Sequence, residues 1–316
     1  MLGNLKNLLS KFAKATSSFD TDIYLVGGAV RDLILGQEIN DLDFLLSDSL
    51  VEILESVAGE FAADSKVFPE YLTGSVALSQ SFVGARRIDF SSFRSEVYDL
   101  PAALPQVSVG TLETDLARRD FTINALAVRL DSILDLESSG ALDLDSFTEL
   151  VIDQHGGLVD LDSKIIKVLH DQSFIDDPTR LFRAVRYKTL LSGSYDSVTA
   201  ELIKQSISSG MVNQLEGYRI KSELQRICEN RHFVDCFKEL YSLGVLQSLG
   251  FAELNDDAFA KLRAISSLDQ SAFIQSMKIL LKNLSSNEQV SILKRLDIRG
   301  NLKQAILSDS LVDGVY

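Results

Sequence analysis

Asp41 and Asp43 stand two residues apart in "NDLDFLL", residues 40–46. If that run is a strand, both carboxylates share one face while Leu42 and Phe44 take the other. Two such carboxylates repel unless a cation sits between them. An all-oxygen pair suits Mg²⁺, which combines carboxylates with substrate phosphates rather than a cage built wholly from protein. Metals held this way activate an attacking oxygen and steady a leaving one. Just upstream, "YLVGGAVRDLIL" (24–35) ends an apolar run at Gly27 and Gly28 and then turns helical. Glycines there let backbone N–H groups approach a polyphosphate, a helix start favours anions, and Arg31 adds a fork of donors. A lone DxD is commonly a solvated turn, and a lone Gly-Gly is commonly just a turn. Their conjunction points to metal-assisted phosphoryl or nucleotidyl transfer. Asp89 in "RRIDFSS" lies on an expected neighbouring strand and is a candidate third carboxylate. It also reads as an outward polar residue or a partner for Arg86.

These residues need a scaffold of mixed α/β type. Strands are expected at 22–26, 41–46, 73–79 and 86–93, with a short helix over 29–35. "PAALP" (101–105) breaks any regular element. "LETDLARRDFTINALAVRL" (112–130) has the spacing of one long helix, and 131–160, rich in Asp, Ser and Gly, reads as a linker. Beyond about residue 160 the pattern is helical, with segments at 177–191, 197–207, 218–230, 232–246, 256–268, 271–284 and 287–296. Leu2, Leu5, Leu9 and Phe12 fall on one face of an N-terminal helix that packs as a cap. No repeat of solenoid period and no low-complexity tract is present.

The chain has 316 residues, 46% hydrophobic and 24% charged, which suits a soluble globular protein of two or more domains. Its net charge of −14 argues against a coat of basic charge for non-specific nucleic-acid binding, though not against a local basic groove. Cys228 and Cys236 lack metal-site spacing and read as idle or buried thiols in a reducing compartment. No apolar run is long enough for a membrane span, and the N-terminus lacks the features of a signal peptide. The cytoplasm is the expected location. The sequence assigns no oligomeric state.

The same motifs resemble those of the class II tRNA nucleotidyltransferase and bacterial poly(A) polymerase family. "LVGGAVRDLILGQEINDLDF" is similar to its first motif and "DLARRDFTINALA" (115–127) to its second. "GGLVDLDSKIIKVLH" (156–170) is similar to its linking segment. "SFIDDPTRLFRAVRY" (173–187) resembles the base-recognition motif EDxxR, with Asp176 where Glu is usual. "YRIKSELQRI" (218–227) resembles a later neck motif. The resemblance covers roughly residues 20–230 with the motifs in order.

It implies an α+β fold: a polymerase-beta-like nucleotidyltransferase head (1–150), a helical neck with the base-recognition motif (151–235) and a helical body (236–316). It implies addition of C and/or A from CTP or ATP to the 3′ end of tRNA, with release of pyrophosphate and Mg²⁺ as cofactor. Asp41 and Asp43 would be the catalytic metal ligands. Gly27, Gly28 and Arg31 would cradle the nucleotide, and Arg119 and Asp120 would meet its sugar and phosphates, with Asn124 nearby. Read from the residues alone, Asp120 and Asn124 form an i, i+4 helix network. Asp177 and Arg180 would hydrogen-bond the base edge, Asp177 also serving as helix N-cap. Arg183 and Arg186 would hold the site's shape or reach phosphates; read alone, this arginine stripe is a solvated face. His155 and His170 read as structural. Basic residues at 219–231 and 294–303 could track an RNA backbone or simply face solvent. CC-only, A-only and poly(A)-forming members exist. The loop segment "RSEVYDLPAALPQVSVGTLE" carries few basic residues, which weakens the case for C addition, or for the switch from C to A. A silent RNA-binding relative is the alternative from another class, and the intact Asp41 and Asp43 argue against it.

Overall fold

The computed structural model describes residues 2–39, 41–82 and 85–308. Two compact units emerge. One takes the described residues through Asp99, Leu104–Ser163 and Lys167–Leu169; the other takes Leu100–Ala103, Lys164–Ile166 and the described residues from His170 onward.

The first unit is built on a seven-stranded mixed sheet. Its strands are β1 (Ile23–Val26), β2 (Leu42–Leu46), β3 (Asp64–Phe68), β4 (Thr73–Phe82), β5 (Ala85–Ser92), β8 (Leu126–Arg129) and β9 (Ile152–Asp153), while β6 (Arg94–Val97) and β7 (Gln106–Val109) form a separate hairpin. The order is β3-β4-β5-β2-β1-β8-β9. β2 and β5 pair in parallel and the other neighbours are antiparallel. The helices are α1 (Leu2–Thr16), α2 (Gly28–Ile34), α3 (Leu50–Phe61), α4 (Leu112–Ala117), α5 (Leu130–Ser138), α6 (Leu144–Glu149) and α7 (Gly157–Asp162).

Alternation along β2 and β5 separates core from chemistry. Phe44 and Phe90 are register partners and stack at 5.7 Å between ring centroids, and Phe12 of α1 lies 4.5 Å from Phe44. Their sequence neighbours Asp43 and Asp89 are also register partners and, by the pleat, face the other way. Asp43 is the one residue of β2 that is not fully buried. Of the expected cap-helix face, Leu9 and Phe12 are buried with Leu8 and Ala15; Leu2 and Leu5 lie outside the described side chains.

Several expectations change. The segment 112–130 is not one helix. It divides into α4, a 3₁₀ turn over Thr122–Asn124, and β8. Ala125 to Val128 are all fully buried, so this run has no solvent face. It suits an interior strand better than an amphipathic helix, and β8 pairs with β1 on one side and β9 on the other. Residues 131–160 are not a linker. Ile133 and Phe147 bury into the core, and the polar residues there terminate elements: Asp143 caps α6, and Asp153 accepts N–H bonds from His155, Gly157 and Leu158. The head therefore runs past residue 150, because β9 completes its sheet.

The second unit is helical, with a small parallel ladder of β10 (Ile165–Ile166) and β11 (Ser194–Tyr195). Its helices are α8 (Ser173–Asp176), α9 (Thr179–Leu191), α10 (Ser197–Ser208), α11 (Met211–Gln214), α12 (Gly217–Cys228), α13 (Phe233–Ser242), α14 (Val245–Ser248), α15 (Asp256–Arg263), α16 (Gln270–Leu281), α17 (Ser286–Arg295) and α18 (Gly300–Leu307). The expected helix over 232–246 is broken into α13 and α14 at Gly244, whose φ of 81° is left-handed. Cys228 and Cys236 are buried free thiols. No helix among the described residues is long and apolar enough to cross a membrane.

Candidate active site

Asp41 immediately precedes β2 and is exposed, while Asp43 and Asp89 sit side by side on β2 and β5. Burial raises the Asp43 carboxyl to about 6; the Arg119 and Arg87 charges oppose that rise, and the Asp89 and Asp41 charges add to it. Burial likewise raises Asp89, against the pull of Arg87. Asp89 pairs with Arg87 at 2.7 Å, not with Arg86, since residues two apart share a strand face. No three His, Cys, Asp or Glu side chains among the described residues form a metal cage. Neighbouring carboxylates that charge only reluctantly, without a full set of protein ligands, fit Mg²⁺ that takes its remaining oxygens from phosphates.

The Gly-Gly turn sits beside this group. Gly27 has φ 65°, and a Cβ there would lie 2.7 Å from Arg119 Nη1. Gly27 therefore keeps space for Arg119, which also donates to the Asn124 carbonyl at 3.3 Å. Gly28 is not conformationally forced, and a Cβ there would make only an ordinary 3.5 Å contact with Arg31 Nη2. Its lack of a side chain is therefore not demanded by the protein's own packing.

Arg31 is buried, and its guanidinium is engaged by protein groups. Nε donates to Asp32 at 2.8 Å and Nη1 donates to Asn124 Oδ1. Asn124 Nδ2 in turn donates to Asp120 Oδ1 at 2.9 Å, which also accepts the Phe121 N–H. The Asp120–Asn124 bond expected from the sequence is made, but across a bend and a 3₁₀ turn rather than along a helix. In this structure Arg31 orients Asn124 and, through it, Asp120.

A second arginine pair depends on a residue the sequence reading passed over. Asp115 is fully buried, with Oδ2 accepting from Arg118 Nη2 at 2.7 Å and Oδ1 accepting from Arg119 Nη2 at 3.2 Å. Arg118 Nη1 also donates to Glu96 on β6 at 2.7 Å. The available signal was an acid three and four residues before two adjacent arginines.

The remaining predicted residues lie in the second unit. The Asp177 Oδ1 atom accepts from Thr179 N at 2.9 Å, Thr179 Oγ1 at 2.6 Å and Arg219 Nη2 at 2.8 Å. Asp177 ends α8, and Pro178 rather than Asp177 holds the N-cap position of α9. The extra residue arises because Pro178 already has helical dihedrals, and Asp177 still satisfies the Thr179 N–H. Arg180 is buried, with Nη1 donating to Ser173 Oγ at 2.7 Å and lying 3.3 Å from His170 Nε2. Burial lowers the His170 pKa, and the Arg180 charge lowers it further. Arg183 and Arg186 both lie over the Tyr187 ring, and Arg186 pairs with Glu223 at 3.6 Å. Of the later basic residues, Arg219 is tied to Asp177 and the Ala102 carbonyl, Arg226 to Glu223, and Arg295 to the Asn213 carbonyl.

Residues 23–167 match the poly A polymerase head domain. An A-adding tRNA nucleotidyltransferase of Aquifex aeolicus is 34% identical over 244 residues, covering 77% of this chain and 27% of the relative. A CC-adding tRNA nucleotidyltransferase of Deinococcus radiodurans is 36% identical over 167 residues, covering 53% of this chain and 40% of the relative. A solved CCA-adding enzyme, apo form II, superposes with a TM-score of 0.75 at 28% identity, covering 96% of this chain and 70% of that one. The chain spans about a quarter of the A-adding relative and two fifths of the CC-adding one. With its mixed sheet and register-paired aspartates, the segment 23–167 carries the poly A polymerase head domain.

Proposed function

We propose that this protein transfers a nucleoside monophosphate from ATP or CTP to the 3′-hydroxyl of a tRNA, with the terminal A as its principal addition. The observation that carries the reading is the facing pair Asp43 and Asp89, flanked by Asp41 and by Arg119 over Gly27. In the reaction the RNA 3′-oxygen forms a bond to the α-phosphorus. The bond from that phosphorus to the β-bridging oxygen breaks, pyrophosphate departs, and the hydroxyl proton is released. Asp41 and Asp43, with Asp89 beside them, would hold Mg²⁺. When bound, it supplies activation of the hydroxyl and charge stabilisation of the leaving oxygen. Arg119 offers positive charge for the triphosphate, Gly28 leaves room for its approach, and Asp120 is presented to the sugar by Asn124 and Arg31.

Asp177 and Arg180 supply an acceptor and a donor for the base edge. Their partners Thr179, Arg219, Ser173 and His170 hold them without outside help. Arg183 and Arg186, braced on Tyr187, keep that surface in shape.

Terminal A addition is favoured because similarity to the A-adding relative extends over 77% of the chain, against 53% for the CC-adding one. The hairpin segment 94–113 also has Arg94 as its sole basic residue, and Arg94 is held by the Tyr71 carbonyl and Glu96. The test uses three tRNA substrates, ending at the discriminator base, after the first C and after the second C. Each is incubated with each labelled nucleotide and Mg²⁺. A single A on the longest substrate is the expected product. Efficient C incorporation on the shorter two would replace the reading with CC or CCA addition. Long A tracts would indicate a poly(A) polymerase, and binding without incorporation a silent RNA-binding protein.

A further inference from the structure

Asp115 has 0% exposure, yet its side chain ends in a carboxyl group. Burying a carboxylate costs several kcal/mol, on the order expected for any desolvated ion, unless partners recover it. Here the partners are two adjacent arginines, and they are held differently. Arg118 bonds Asp115 Oδ2 through both Nη2 (2.7 Å) and Nε (3.2 Å), and its Nη1 is fixed by Glu96 (2.7 Å). Glu96 also accepts from Tyr98 Oη at 2.9 Å and pairs with Arg94 at 3.4 Å. Arg118 is thus committed on both sides.

Arg119 has longer bonds: 3.2 Å to Asp115 Oδ1 and 3.3 Å to the Asn124 carbonyl. Its Nε is buried without a hydrogen-bond partner. Its Nη1 occupies the space kept by Gly27. Arg119 is therefore held at the Gly27 turn while keeping donor capacity. The residues that aim it are Asp115 on one side and the Gly27–Asn124 backbone on the other.

We infer that Asp115 is a positioning residue for nucleotide binding, acting through Arg119, while Arg118 and Glu96 lock Asp115 in place. This rests on the nucleotidyl-transfer reading, in which Arg119 meets the incoming triphosphate. An apolar residue at 115 would fill the space but could not point a guanidinium. The arrangement gives a physical role to a charge that would otherwise be a cost in the core. The competing role is a plain anchor, because Asp115 Oδ2 also accepts the Arg94 N–H at 3.4 Å and so ties α4 to β6.

The experiment is a double-mutant cycle on the full chain, with steady-state kinetics for ATP at saturating tRNA, melting curves, and equilibrium titration with a fluorescent ATP analogue. Asp115→Asn is expected to raise the nucleotide KM about ten- to a hundredfold, with kcat changed far less. Arg119→Ala raises KM as well, and the Asp115→Asn/Arg119→Ala double variant is no worse than Arg119→Ala alone, since the two act as one unit. Multiplying effects in the double variant, or a lowered melting temperature with an unchanged KM, would overturn the inference in favour of the anchor. If Asp115→Asn fails to fold, Asp115→Glu keeps the charge but mis-aims Arg119. A raised KM at near-normal melting supports positioning, and an unchanged KM refutes it. If the unmodified protein extends no tRNA, the functional reading fails instead. The ATP-analogue titration then still decides the inference, which requires weaker binding by the Asp115 variant.

Discussion

Asp43 and Asp177 are both aspartates close to arginines, and the protein treats them in opposite ways. Asp43 faces Asp89 across two strands with Asp41 nearby, and burial raises its carboxyl to about 6. Asp177 has three donors converging on a single oxygen. The first arrangement gathers carboxylates that are only partly offset by Arg87 and Arg119, and under the proposed function a cation would complete it. The second is complete as it stands and presents a fixed hydrogen-bonding edge. Under the proposed function, the metal-holding site and the base-selecting site would be distinguishable by how far the protein satisfies its own carboxylates.

The strongest test of that contrast is removal of the unsatisfied side. Asp41→Ala and Asp43→Ala should each reduce nucleotide incorporation by about a thousandfold or more while leaving tRNA binding nearly unchanged, since several kcal/mol of barrier lowering depends on the held cation. Radiolabelled ATP incorporation measures this, and near-normal turnover in either variant would remove the catalytic assignment.

The next effect concerns stability and has a definite sign. The folded Asp43 pKa lies above its ordinary value of 3.8, so the fold prefers the protonated form. That preference supports the native state fully below about pH 4 and is lost as pH rises through about 6. With chelator present, Asp43→Asn should therefore stabilise the protein at pH 7.5 by up to about 3 kcal/mol, and by little at pH 4. Thermal melts at the two pH values would show it, and an Asn variant that melts no higher than the parent at pH 7.5 contradicts the proposed strain.

Selection should respond in the second unit instead. Arg180→Ala is expected to erode the preference for A over the other nucleotides by about 1–3 kcal/mol, ten- to a hundredfold, the scale of a bidentate base contact. Competition between labelled nucleotides measures it; equal slowing of all four would make Arg180 architectural. The smallest effect separates the two aspartates most directly. Asp177→Asn should destabilise by about 1 kcal/mol, opposite in sign to Asp43→Asn, because it weakens bonds already made to Arg219 and Thr179. A stabilised Asp177→Asn protein would erase the distinction.

The readable parts of the molecule were local. Asp41 and Asp43 at strand spacing, the Gly27-Gly28 turn before a helix, and the "DDPTRLFRAVRY" helix follow from dihedral preference and periodicity over a few residues. The segment 112–130 misled because Ala125 to Val128 are apolar on every side, a pattern shared by buried helix and buried strand. Only pairing with β1 and β9 decides between them. Residues 131–160 misled because Asp143, Asp153 and Gly156 terminate elements rather than loosen the chain.

The sequence by itself carried the case for the proposed chemistry, since carboxylate spacing and the order of motifs are properties of the chain. Tertiary structure alone decided that Asp89 lies opposite Asp43, that Gly27 makes room for Arg119, and that Arg31 serves Asn124. Each of these joins side chains through strand register or through long guanidinium reach. Both depend on where distant segments come to rest, and no local pattern of residues records that.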